Sequence, residues 1–266
     1  MHPMLNIAVR AARNAGDLIA KAYEQFDNVE VEQKGLNDFV TNLDKEAEQA
    51  IIYTIRKSYP DHSIIAEESG ELEGADTDHQ WVIDPLDGTT NFIKGIPHFA
   101  VSIALLVKGK IEQAVVYDPI RNELFTASRG AGAQLNGYRL RASNNKDING
   151  AILATGFPFK QKHNLETYLS IFASLFADAG DMRRAGSAAL DLAYVAAGRA
   201  DGYFELGLKP WDFAAGELIA KEAGAIVTDF AGNHNYVKTG NLVAGNPKVV
   251  KTMLAKIRPH LTDAIR

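Results

Sequence analysis

The chain has 266 residues, 46% of them hydrophobic and 23% charged, with a net charge of −5 and no cysteine. That length buries a sizeable core as one large domain or two closely packed ones, and the composition is that of an ordinary soluble globular protein. The acidic balance argues against a broad nucleic-acid-binding face, while the missing cysteines exclude disulfides, thiolate metal sites and cysteine nucleophiles and fit a reducing cytoplasm.

Residues 4–25 predict an amphipathic helix, with Leu5, Ala8, Ala12, Ala15, Ile19 and Tyr23 on one face. Arg10, Arg13 and Asp17 interrupt the same stretch, so no signal-peptide pattern is expected there. A second helix follows Thr41, where Leu43, Ala47, Ala50, Ile51 and Ile55 recur at helical spacing. Ser63-Ile-Ile-Ala66 reads as a short strand ending at Glu67-Glu68. From Phe99 to Leu140 the pattern turns to strands, at Phe99–Val107, Gln113–Tyr117 and Leu124–Ser128. Turns at Lys108-Gly109-Lys110 and Asp118–Asn122 separate them, which predicts an antiparallel meander. None of these apolar runs is long enough to span a membrane.

Beyond about residue 145 strands and helices alternate. Strands are expected at Ile152–Thr155, Gly202–Glu205, Ile226–Phe230 and Leu242–Ala244, with Asp181–Arg184 extended. Helices are expected at Leu165–Phe176, at Ala188–Ala197 ending on Gly198, at Phe213–Ala223 closed by Gly224, and after Pro247. The coarse picture is an N-terminal α+β half, residues 1–145, and a C-terminal α/β half, residues 146–266, sharing one interface in one compact unit.

The most informative stretch is Trp81-Val-Ile-Asp84-Pro85-Leu86-Asp87-Gly88-Thr89-Thr90-Asn91-Phe92. Trp81-Val82-Ile83 reads as a buried strand, and Pro85, which has no N–H, is expected to stop it at Asp84. Asp87 then stands where a helix N-cap belongs, ahead of Gly88-Thr89-Thr90. Two carboxylates thus meet at a strand-to-helix turn beside the amides of a helix start, which favour an anionic oxygen such as phosphate. Carboxylates repel phosphate, so a site combining both implies divalent cations between them, and Mg²⁺ suits oxygen ligands of this kind. For a lone Asp-Pro or Asp-Gly an ordinary turn is the better reading.

Other acids stand in comparable places. Glu67 follows a strand as Asp84 does, and acids at strand ends of one sheet can converge on a crevice. Asp212, after Trp211, stands at the N-cap of a helix, and Glu205 ends the strand before it. Asp44 lies three residues after Thr41, the spacing of a capping box. Gly130-Ala-Gly132 follows a strand with no helix after it, so a dinucleotide fingerprint is not expected. The seven histidines show no metal-ligand spacing.

Together, Glu67-Glu68-Ser69, the stretch from Asp84 to Phe92 and Trp211-Asp212-Phe-Ala-Ala-Gly resemble the inositol monophosphatase family over nearly the whole chain. Thr155-Gly-Phe-Pro-Phe159 and Arg183–Tyr194 are most similar to its bacterial SuhB-type branch. The resemblance implies a layered α-β-α-β-α sandwich, and metal ligation by Glu67, Asp84, the Leu86 carbonyl, Asp87 and Asp212. It implies that the Gly88 and Thr89 amides hold phosphate, and that Asp44 and Thr89, with Glu67, orient the attacking water. Substrate contacts would come from Glu67, Leu86, Asp87, Gly88, Thr89, Arg183, Gly186, Ser187, Ala188, Glu205 and Asp212. Lys34 is one residue nearer Asp44 than its counterpart in the animal enzymes, a departure from the family pattern.

The expected activity is therefore Mg²⁺-dependent hydrolysis of myo-inositol 1-phosphate by a metal-activated water, without a covalent intermediate. The resemblance further implies inhibition by lithium and a homodimer, with Arg183 facing the substrate and Arg184 a subunit interface. A reading of another class comes with the SuhB-type branch: transcription antitermination on ribosomal RNA, through elongation factors and RNA polymerase.

Overall fold

The computed structural model describes residues 2–25, 31–35, 38–159, 161–262 and 265. Helix α1 (Pro3–Glu24) and a hairpin of β1 (Val31–Gly35) and β2 (Asp38–Thr41) lead into α2 (Asn42–Ser58). The side chain of Lys34, in β1, lies outside what is described. There follow β3 (His62–Ala66), β4 (Gly70–Leu72), β5 (Asp76–Asp87) and the short α3 (Thr89–Ile93). The meander is β6 (Ala100–Val107), β7 (Lys110–Asp118), β8 (Glu123–Ser128), β9 (Gly132–Leu135) and β10 (Tyr138–Arg139). Then come β11 (Ile152–Thr155), α4 (Leu165–Phe176), β12 (Asp181–Arg183), α5 (Ala188–Ala196) and β13 (Gly202–Glu205). The chain continues through α6 (Pro210–Glu222), β14 (Ile226–Thr228), α7 (Tyr236–Thr239), β15 (Leu242–Gly245) and α8 (Pro247–Ile257).

Strands β3 to β10 form an eight-stranded sheet in the order β10-β9-β8-β7-β6-β5-β3-β4, antiparallel except where β3 runs parallel to β5. Strands β11 to β15 form a mixed sheet in the order β12-β11-β13-β15-β14. Alternation along each strand sorts the core into layers. In β5, Trp81 and Ile83 point toward α1 and α2, whereas Val82 points toward α5 and α6. In β13, Tyr203 points toward α5 and α6, whereas Phe204 packs with Tyr168, Ile171 and Leu175 of α4 and with Val249 and Met253 of α8. The result is an α-β-α-β-α sandwich with α5 and α6 in its middle. A helix covered on both sides needs apolar residues all round, and α6 is buried without a break from Phe213 to Ala220. No helix among the described residues is long and apolar enough to cross a membrane.

Three local expectations are corrected. Pro85 does not stop its strand, because β5 carries on to Asp87 through a bulge. Asp84 pairs with Ser102 and Asp87 with Ala100, so three steps on β5 face two on β6. A bulge absorbs a residue without an N–H, and it also turns the strand end. Asp87 does not cap α3: Gly88 holds that position at φ 103°, a left-handed conformation suited to glycine, with no side-chain cap. Asp212 is not an N-cap either. Lys209 is, and Asp212 stands three residues into the turn, where its Oδ2 accepts the Lys209 amide at 2.6 Å.

Candidate active site

Six elements end at one cavity of about 350 Å³. The end of β3 brings Glu67, the bulge of β5 brings Asp84 and Asp87, and the start of α3 brings Gly88 and Thr89. The turn into α5 adds Gly186, Ser187 and Ala188, the end of β13 adds Glu205, and the first turn of α6 adds Asp212. Asp44 is buried behind Thr89 and meets the site through it: Thr89 Oγ1 lies 3.0 Å from Asp44 Oδ1 and 3.1 Å from the Leu86 carbonyl.

Each acid is held by a local device. Asp44 and Thr41 close a reciprocal capping box, and the Thr41 amide donates to Asp44 Oδ2 at 2.9 Å. Asp84 Oδ1 accepts the Leu86 amide at 3.0 Å, which folds the bulge back on itself. Asp87 reaches across the molecule: Ser187 Oγ and the Ala189 amide both donate to its Oδ2, at 2.6 and 2.7 Å. It therefore caps α5, a helix 100 residues away in sequence. Asn91 makes the same join, donating to the carbonyls of His98 and Ala185 at 2.7 and 2.8 Å. Glu205 Oε2 accepts from Tyr203 Oη at 2.6 Å. Its carboxyl lies so close over Gly156 that a Cβ there would stand 2.0 Å from it, so a larger residue would displace the Glu205 carboxyl.

The crowding is written in the protonation equilibria. Burial raises Asp84 well above the usual carboxylate range, and the charges of Glu67, Asp87 and Asp212 add to it. Burial pushes Asp87 up to about 7 against the hydrogen bonds from Ser187 and Ala189. Glu205 is likewise pushed up to about 7 by burial. Acids that repel each other in a dry cleft call for a cation. The donors present, carboxylates and the Leu86 carbonyl with no sulfur or imidazole among them, are those of a hard divalent ion.

Two parts of the expected site are placed differently. Arg183 pairs with Asp181 and does not line the cavity; Arg184 does, its guanidinium 5.4 Å from the Phe157 ring. Of these neighbours it is thus Arg184, just past β12, and not Arg183, that borders the cavity, where β12 pairs with β11 at the sheet edge. Glu48 was not anticipated. It is buried on α2, one turn after Asp44, and accepts the Glu68 and Ser69 amides at 2.8 and 2.9 Å and the Ser69 hydroxyl. It thereby fixes the loop that carries Glu67. Its helical spacing from Asp44 was the only available signal.

A second titratable group lies at the other end of β5, where His62, Asp76 and His79 approach one another. Trp81 Nε1 donates to His62 Nδ1 at 3.1 Å. Indole is a donor only, so His62 carries its proton on Nε2, which faces Asp76 at 3.8 Å. The His62 and His79 rings are stacked at 4.5 Å and 11°, so their in-plane lone pairs do not converge. Asp76 is hydrogen-bonded to His79 and lies at longer range from His62, an arrangement that does not aim both imidazoles at one ion.

The family model for inositol monophosphatases matches residues 1–262. The chain belongs to the inositol monophosphatase family. Members of this family are generally metal-dependent, in keeping with the oxygen-rich cleft. Across 266 residues, and the whole of both chains, it is 71% identical to the Nus factor SuhB of Escherichia coli K12. A crystal structure of the extragenic suppressor protein suhB of Bartonella henselae superposes with a TM-score of 0.95 at 42% identity, covering 98% of this chain and 100% of that one. The inositol monophosphatase of Anabaena superposes with a TM-score of 0.87 at 37% identity, covering 96% and 95%.

Proposed function

We propose that this inositol monophosphatase family member hydrolyses a phosphate monoester of a polyol, myo-inositol 1-phosphate, with Mg²⁺ held by Glu67, Asp84, the Leu86 carbonyl, Asp87 and Asp212. The observation that carries the reading is the convergence of these four carboxylates on the cavity at the start of α3, where the Leu86 carbonyl lies beside Thr89 and the Gly88 and Thr89 amides have no helical acceptor to satisfy. Those amides hold the phosphate. When bound, the cation supplies the positive charge that reconciles phosphate with carboxylates and acidifies a water. Asp44 and Thr89 form a hydrogen-bonded pair on the phosphate side, so a proton from the attacking water passes to Thr89 Oγ1 as Asp44 takes the hydroxyl proton. No cysteine exists in the chain and no histidine lines the cavity, so direct attack by water is the fitting route. Ser187, Ala188 and Glu205 face the alcohol part of the substrate. The test is a panel of phosphate monoesters with the purified protein, with and without Mg²⁺. Phosphate release that needs Mg²⁺ and favours inositol phosphates supports the reading; no release from any ester rejects it.

The full-length 71% identity to a protein named as a Nus factor favours a second role beside the first. We infer that the chain also serves transcription antitermination in the cytoplasm, through elongation factors and RNA polymerase. Helix α4 leaves Leu165, Leu169 and Phe176 exposed, an apolar stripe offered to a second copy in a homodimer. An Asp84→Asn variant separates the roles: growth and ribosomal RNA synthesis that survive it belong to partner binding. Sedimentation velocity on a Leu169→Glu variant reads the dimer.

A further inference from the structure

Asp191, four residues after Ser187, turns toward the cleft rather than toward a sheet. Its helix neighbours are accounted for by packing: Ala189, Leu190 and Ala193 meet the eight-stranded sheet, and Ala188, Leu192 and Val195 meet the other. Asp191 lines the cavity instead, although only 3% of its surface is exposed. Among the described residues no N–H or O–H group donates to its carboxyl oxygens. The hydroxyl of Tyr203, which feels the charge of Asp191, donates to Glu205 instead. Yet neither oxygen is sealed off, since the only sealed side-chain polar atom lacking a partner among the described residues is His98 Nε2.

A carboxyl group in this position is costly. Burying it without a partner forfeits its hydration, and an apolar side chain of similar size would serve the middle layer better. Two of the groups around it, Asp87 and Glu205, are acids that repel it, while the Arg184 cation attracts it. Among the described residues no group donates to it, and the side it leaves open is the cavity. A donor is required, and the alcohol part of a polyol phosphate offers several.

We propose that Asp191 is a specificity-determining residue that hydrogen-bonds a ring hydroxyl of the substrate, beside Glu205 and away from the phosphate amides. This rests on the phosphatase reading above and names how that site tells a polyol ester from a plain one. A site built around a substrate hydroxyl discriminates strongly against esters that lack it, because its own polar group is then left unpaired.

The experiment compares wild type, Asp191→Ala and Asp191→Asn on myo-inositol 1-phosphate and on p-nitrophenyl phosphate, with Mg²⁺ saturating. Asp191→Ala is expected to lower kcat/KM for the inositol ester by about 10- to 100-fold, the scale of one hydrogen bond to a charged group. It should change the nitrophenyl ester by less than about 3-fold on the same grounds, because that alcohol has no ring hydroxyl to lose. Asp191→Asn, which still hydrogen-bonds, should recover most of the inositol activity. The melting temperature of Asp191→Ala should equal or exceed that of wild type, since an unpaired buried acid has been removed. Equal losses on both esters, no loss on either, or a lowered melting temperature would overturn the assignment while leaving the phosphatase reading standing. Wild-type protein inactive on both esters would overturn both together.

Discussion

Strand β5 carries a titratable cluster at each end, and the two are opposites. Its twelve residues separate Asp76 from Asp87 by roughly 35 Å at about 3.3 Å per residue. At the first end, Asp76 accepts from the His79 ring at 2.8 Å and faces the His62 N–H, while Trp81 supplies the donor that His62 needs. Donors and acceptors there are paired within the cluster, by two hydrogen bonds and one longer contact. At the second end, Glu67, Asp84, Asp87 and Asp212 bring acceptors against acceptors, and protons are held because charges cannot be tolerated. The same strand thus shows a polar cluster paired within itself and one of crowded acids, which the proposed function completes with a cation. Counting donors against acceptors separates them where residue type alone would not.

The largest effect should come from removing ligand charge at the second end. Asp84→Asn and Asp87→Asn should each reduce phosphatase turnover by at least ~10³-fold, the scale of losing a main electrostatic stabiliser. Steady-state kinetics at saturating Mg²⁺ measures this, and near-normal turnover in either variant would break the contrast.

Glu48→Ala should follow. It leaves the Glu68 and Ser69 amides without their acceptor and frees the loop of Glu67. Activity should fall by about 10-fold, with a higher Mg²⁺ requirement, for the loss of hydrogen bonds of about 1–3 kcal/mol. Mg²⁺ titration of initial rates checks it. An unchanged Mg²⁺ dependence would mean that the loop holds its shape without Glu48.

At the first end the same kind of change should cost stability only. Trp81→Phe removes the donor to His62 and leaves a buried acceptor unpaired. The melting temperature should drop by about 2–8 °C, from a penalty of about 1–3 kcal/mol, while kcat stays within about 2-fold since only stability is touched. A matching loss of kcat would show that the two ends communicate.

The smallest effect is in the pH dependence of stability, and its sign differs between the ends. Asp87 and Glu205 keep their protons up to about pH 7 when folded, against ordinary values of 3.8 and 4.5. Between those limits the folded state binds more protons than the unfolded chain. Their contribution is therefore complete at acid pH and is lost as pH rises through 7. His62 goes the other way: burial and the neighbouring His79 hold it below its ordinary 6.5. Its contribution is present above that value and is lost as pH falls. In EDTA, melting from pH 6.5 to 8 should shift downward, and added Mg²⁺ should recover more at pH 8 than at pH 6.5. A curve that rises over this range without metal would contradict the crowding of the cleft.

Much of this molecule was legible in its sequence because the signals are local. Apolar residues three and four apart marked α1 and α2, apolar runs separated by turn residues marked the strands of the meander, and Gly198 and Gly224 marked helix ends. The layered sandwich followed from the family resemblance of three short motifs. Short pieces without periodicity, such as β4, β9, β10 and α7, escaped because two to four residues carry no period. What only the tertiary structure decided is the choice of partner. Asp87 looks like the cap of the helix beside it and caps α5 instead, since the bulge at Pro85 turns it away from α3 and Ser187 arrives from 100 residues on. Which of Arg183 and Arg184 faces the cleft depends on the pairing of β12 with β11. Glu48 and Asp191 read as ordinary helix residues until packing buries them, one against a loop that needs its oxygens and one against a cavity. Propensity and pattern act over a turn or a pleat, whereas the energy of a buried polar group is set by whatever the rest of the chain brings to it.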